Sequence, residues 1–147
     1  MPVEQLEVSG WVHSQRLPLG GEWSGHCAAP GHEGETPSPE ELREFCNLGY
    51  AASCGRLPQQ RPWDSIRFAA KSAGISPSGE AGEWIRLRYV CERDHRPADH
   101  GWLEFHVPLE QWKAKHENAC VQRLAECFLQ SWMRKKKLPQ QMTAAAV

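Results

Sequence analysis

From Trp84 to Val107 the chain alternates. Ile85, Leu87, Tyr89 and Cys91 interleave with Trp84, Arg86, Arg88 and Val90, and further on Leu103, Phe105 and Val107 interleave with Trp102, Glu104 and His106. A period of two sends successive side chains to opposite faces, so the pattern predicts two strands paired as an antiparallel hairpin through the connection ERDHRPADHG. Arg86 and Arg88 would then meet Glu104 as cross-strand ion pairs on the more exposed face. After Pro108 the period lengthens. Leu109, Trp112, His116, Cys120, Leu124, Cys127 and Phe128 recur every three or four residues, which predicts a helix from 109 to about Arg134 that covers the inner face of the hairpin. Cys120 and Cys127 read most simply as core residues of that helix, with Trp112 in the contact.

Shorter signals precede these. Leu6, Val8, Trp11 and Val12 suggest an N-terminal strand broken by Gly10. Ser38-Pro39-Glu40-Glu41 is a helix start: the serine caps free N–H groups, proline fits the first helical position, and two acids face the positive end of the dipole. That helix carries Leu42, Phe45 and Cys46 and ends by Gly49. A second short helix is predicted from about Asp64, its cap, to Ser72, with Ile66, Ala69 and Ala70 inward and Gly74 at its end. The closing QQMTAAAV has no matched partners and is expected to fray. With no internal repeat, the organisation predicted is one α+β domain over 1–138 and a frayed tail over 139–147. It comprises a small antiparallel sheet packed by a long C-terminal helix, beside a metal-clasped N-terminal loop and helix region.

Composition narrows the function. A chain of 147 residues buries enough surface to build a core without depending on metal alone. The formal charge of −1 gives no global field to recruit nucleic acid or an anionic membrane, so neither is an expected partner; a protein partner stays open, with its identity and the oligomeric state not given by the sequence. No stretch reaches transmembrane length, and the N-terminus MPVEQLEVSG lacks the basic start and apolar run of a secretory signal. A cytoplasmic location is therefore expected. In a reducing compartment the six cysteines read as thiols or metal ligands rather than disulfides.

Four side chains carry the sharpest chemistry. Cys27, His32, Cys46 and Cys54 follow a C-x4-H-x13-C-x7-C pattern within a Gly- and Pro-rich stretch, supplying three thiolates and an imidazole, the donor set of a closed tetrahedral site. Soft thiolates select zinc or iron–sulfur iron over magnesium and calcium. The usual closely spaced cysteine knuckle is missing, His26 competes with His32 for Cys27, and the plain alternative is that these cysteines are small buried hydrophobes. Gly55 after Cys54 would let backbone N–H groups turn towards sulfur.

Other candidates carry less. Asp94-His95 and Asp99-His100 place a carboxylate beside an imidazole, but a solvated turn explains them as well. His95, His100 and His106 match a second metal site by type and lack a diagnostic spacing. Arg134 to Lys137 beside Trp132 could hold phosphate, although cations are also favoured at a helix C-terminus. No nucleotide, metalloprotease or hydrolase signature occurs. The function expected is a non-enzymatic, zinc-stabilised binding or regulatory module. An iron–sulfur protein for electron transfer or redox sensing is the first alternative, and a small metallo-hydrolase the second.

Overall fold

The computed structural model describes residues 1–6, 11, 13, 16–49 and 54–145, the backbone alone from 137 onward. Strand β1 (Pro2–Gln5) pairs antiparallel with β2 (Trp23–Gly25) in a two-stranded sheet. A short helix α1 (Pro39–Glu41) runs directly into a wider π-type turn over Leu42–Cys46. Strands β3 (Ser65–Ile75), β4 (Ala81–Arg93), β5 (Arg96–His106) and β6 (Gln111–Ala114) form an antiparallel meander in that order, followed by helix α2 (Ala119–Ala145). The strand pairs β4/β5 and the packing of a C-terminal helix on them agree with the alternation and the α+β class.

The central hairpin is in the register its side chains demand. Leu87 faces Leu103 and Ile85 faces Phe105 on one side, while Arg86 faces Glu104 on the other, with Nε 3.7 Å from the carboxylate. Ile85, Leu87, Leu103 and Phe105 meet Ala125 and Leu129 of α2 in the core, and Leu87 is fully buried. The connection is tighter than the sequence suggested. Asp94 and His95 alone turn the chain, both at positive φ (51° and 61°), the backbone of a two-residue hairpin whose twist matches the strands. Asp99 and His100 therefore belong to β5 and point to opposite faces, which removes them as an acid–base pair.

Two predicted helices are corrected. The segment expected as a helix from Asp64 to Ser72 is strand β3: Ile66, Phe68 and Ala70 face inward while Arg67, Ala69 and Lys71 are exposed. The apparent helical spacing of Ile66, Ala69 and Ala70 depended on counting Ala69 as buried. Asp64, instead of capping a helix, receives the Asp94 N–H at 2.8 Å and the Arg61 Nε at 3.1 Å, and so ties down the hairpin end. Likewise, Leu109, Trp112 and His116 are not on the C-terminal helix. The chain turns at 107–110, with Glu110 at φ 50°, and returns as β6, where Trp112 meets Phe105 edge to face, ring centres 5.3 Å apart. Helix α2 begins after Asn118, whose side-chain oxygen accepts from the N–H groups of Cys120 and Val121 at 2.9 and 3.1 Å.

Helix α2 also extends through the cationic run. Arg134 reaches Gln5, while Lys136 sits 4.1 Å from the Trp132 ring centre and donates to Ser72. The helix bounds pass beyond these residues to Ala145, so their partners are side chains rather than a helix terminus. Cys127 is buried, as expected, whereas Cys120 is exposed. The N-terminal strand lies earlier than Leu6; Val8 and Val12 lie outside the described residues. No described helix is long and apolar enough to cross a membrane.

Candidate metal centre

The helix start at Ser38 is formed as its residues dictate. Ser38 Oγ accepts from the Glu41 N–H at 3.2 Å while the Glu41 carboxylate accepts from the Ser38 N–H at 2.7 Å, with Pro39 in the first turn. The helical segment then loosens, Asn47 N–H bonding back to the Leu42 carbonyl five residues earlier at 3.2 Å. Cys46 is its last residue, and Gly49 at φ 75° turns the chain away, a conformation that suits glycine. Placing Cys46 at a helix end was correct.

Asn47 anchors this end. It is 7 % exposed, and its side chain accepts the Trp23 N–H at 2.9 Å and donates to the carbonyls of Trp23 and Leu42 at 3.1 and 3.0 Å. Two of these bonds clamp the segment bearing Cys46 onto β2, the strand that leads directly to Cys27, and the third ties Asn47 back to the start of its own segment. Trp23 in turn points its indole N–H at Ser131 of α2, 3.3 Å away, so the small sheet is keyed to the main helix.

The Cys27 to Glu35 segment is a pinched loop. Cys27 N–H donates to the Glu35 carbonyl at 2.8 Å, Gly34 N–H returns to the Cys27 carbonyl at 3.0 Å, and His32 sits between them. Its Nδ1 lies 3.2 and 3.1 Å from the two Glu35 carboxylate oxygens. A carboxylate only accepts, so Nδ1 carries the proton and Nε2 of the neutral ring keeps its lone pair. His26 is exposed, and among the described residues its imidazole has no such partner.

Arg56 closes the arrangement. Its guanidinium meets Glu41 at 2.9 Å and Glu35 at 3.5 Å. A hydrogen bond to the Cys27 sulfur, supported by those two carboxylates, raises its pKa above the ordinary value. Across from it, partial burial and then the neighbouring sulfurs of Cys54 and Cys27 push the Cys46 thiol up. Cys27 and Cys54 therefore both act on Cys46, and His32 is linked to Cys27 through Glu35 and Arg56. Among the described residues, no group of three or more His, Cys, Asp or Glu side chains is arranged to hold a metal ion, so the four-ligand site expected from Cys27, His32, Cys46 and Cys54 is not formed in this structure.

Sequence reasoning missed Glu35, Arg56 and Asn47. Glu35 stands three residues after His32, a spacing that could have been read as an orienting pair; Arg56 and Asn47 gave no signal, because their roles depend on tertiary contacts. The remaining histidines do not converge. His100 and His106 are six residues apart on one strand, about 20 Å, which excludes a shared ion with His95 at the turn. An open groove of about 550 Å³ runs between the outer edge of β3 and Leu17, Pro18 and Leu48. Among the described residues its lining holds no carboxylate, imidazole or thiol, so it offers no acid–base chemistry. No protein-family model, curated protein or solved structure matches the chain.

Proposed function

We propose that the chain is a zinc-stabilised binding or regulatory module in which Cys27, Cys46 and Cys54 hold the ion with His32 Nε2 as fourth donor. The observation that supports this reading is that the sulfurs of Cys54 and Cys27, from separate segments, both act on the Cys46 thiol, whereas Cys91, Cys120 and Cys127 do not. A role as incidental core hydrophobes fits poorly, because Cys46 is exposed and Cys27 and Cys54 are only half-buried. The surrounding shell fits a thiolate site. Glu35 fixes the imidazole, and Arg56 places a positive charge on the Cys27 sulfur, which would offset the excess negative charge of three thiolates. Binding would draw the sulfurs inward and lock the β2 loop to the helical segment, with no vacant position for a reacting water.

Metal analysis on protein purified without oxygen tests the reading. About one zinc per colourless chain, falling in Cys46→Ser and Cys54→Ser but not in Cys120→Ala, is the expected result. Brown protein with iron and sulfide would replace zinc by a cluster. Equal metal in all three variants would refute the site.

A further inference from the structure

The sheet has a second face, turned away from α2, and its chemistry differs from the chain's near-neutral average. The register brings Arg67 and Lys71 of β3, Arg86 and Arg88 of β4, and Trp102 of β5 onto it. Glu92 and Glu104 are the carboxylates opposite them, at 3.1 Å from Arg67 and 3.7 Å from Arg86. Lys71 and Arg88 have no acidic partner among the described residues, and both are exposed. Trp102 stands directly across from Arg88. Its ring centre is 4.4 Å from the Arg86 guanidinium and 5.1 Å from the Lys71 ammonium, yet the residue remains 42 % exposed.

An exposed indole on an open sheet face, flanked by two cations, Lys71 and Arg88, that lack counter-charges, matches one kind of partner. From this we infer that the face binds single-stranded nucleic acid, Trp102 stacking on a base while Lys71 and Arg88 contact phosphates. Ala69, between Arg67 and Lys71 on the same face, leaves the platform low beside Arg88. A duplex hides its base faces, so the indole favours an unpaired strand. The overall charge of −1 concealed this asymmetry, because the acids cluster elsewhere, as at Glu35, Glu40, Glu41 and Glu44. The inference is independent of the metal reading.

Fluorescence anisotropy of labelled oligothymidine and oligouridine, titrated with the full chain at low salt, tests it. Saturable binding is expected, with the logarithm of affinity falling against the logarithm of salt at a slope near −1.4, about −0.7 for each of two neutralised phosphates. Trp102→Ala should weaken binding between about fivefold and a hundredfold without changing that slope, and Trp102→Phe should restore part of it. Arg88→Ala should flatten the slope by about 0.7, while Arg43→Ala, an exposed cation outside the sheet, should change neither. Circular dichroism and thermal midpoints of each variant separate loss of binding from loss of fold. Absence of binding, equal affinity for a duplex, or binding indifferent to Trp102 in folded protein would overturn the inference.

Discussion

Asn47→Ala tests how the fold holds the thiols together. The substitution leaves the Trp23 N–H without its acceptor and takes a donor from the carbonyls of Trp23 and Leu42, in a place that is 7 % exposed. A buried donor or acceptor left unpaired costs about 1–3 kcal/mol. The donor bears the full penalty, whereas the Leu42 carbonyl keeps the Asn47 backbone N–H at 3.2 Å. A total of about 3 kcal/mol follows, which for a chain of this size lowers the thermal midpoint by about 6–12 °C. Because these bonds also fix Cys46 relative to the strand before Cys27, zinc affinity measured against a chromophoric chelator should fall together with stability. Asn47→Asp, which keeps the acceptor and loses the donor, should lie between. Thermal unfolding of the zinc-free protein followed by circular dichroism reads the first effect, and the chelator titration reads the second. An unchanged midpoint in Asn47→Ala would refute the clamp; a lowered midpoint with unchanged zinc affinity would show that the clamp does not position the site.

The remaining predictions concern the core. Leu87→Ala, at a fully buried position, should cost about 2–5 kcal/mol in urea unfolding, and Lys113→Ala, on an exposed position, less than about 0.5 kcal/mol. Trp112→Ala, half-buried against Phe105, should fall between them at about 2 kcal/mol; equality of all three would contradict the packing. Burial pushes the Cys91 and Cys127 thiols up to about 11, against an ordinary 9.0. The native state therefore keeps these protons where the unfolded chain loses them, so stability should decline as pH rises from about 9 towards 11; a midpoint constant across that range would contradict their burial.

Much of the main sheet could be read from the sequence, and the reasons are local. The hairpin from 81 to 106 declares itself because one face is buried by a helix and the other carries Arg86, Arg88 and Glu104, so polarity alternates with the pleat there. Strand β3 concealed itself because Ala69 is apolar and exposed, and two adjacent alanines mimic a helical face. Strand β6 was hidden by coincidence. Trp112 and His116 happen to continue the spacing of α2 backwards, and only the turn at Glu110 and the cap at Asn118, both visible in hindsight as local signals, interrupt it. At the candidate site the ligand types and the Ser38 helix start were legible. The clamp by Asn47 and the bridge by Arg56 were not, because neither is close in sequence to the strand or the cysteine it holds.

The most direct test of the metal proposal combines zinc content with residue-resolved thiol alkylation of the same anaerobic sample. The proposal predicts about one zinc per chain, with Cys27, Cys46 and Cys54 protected together and released together on chelation, while exposed Cys120 reacts throughout. Free reaction of Cys46 in protein that retains its zinc, or protection unchanged by removing the metal, would contradict it.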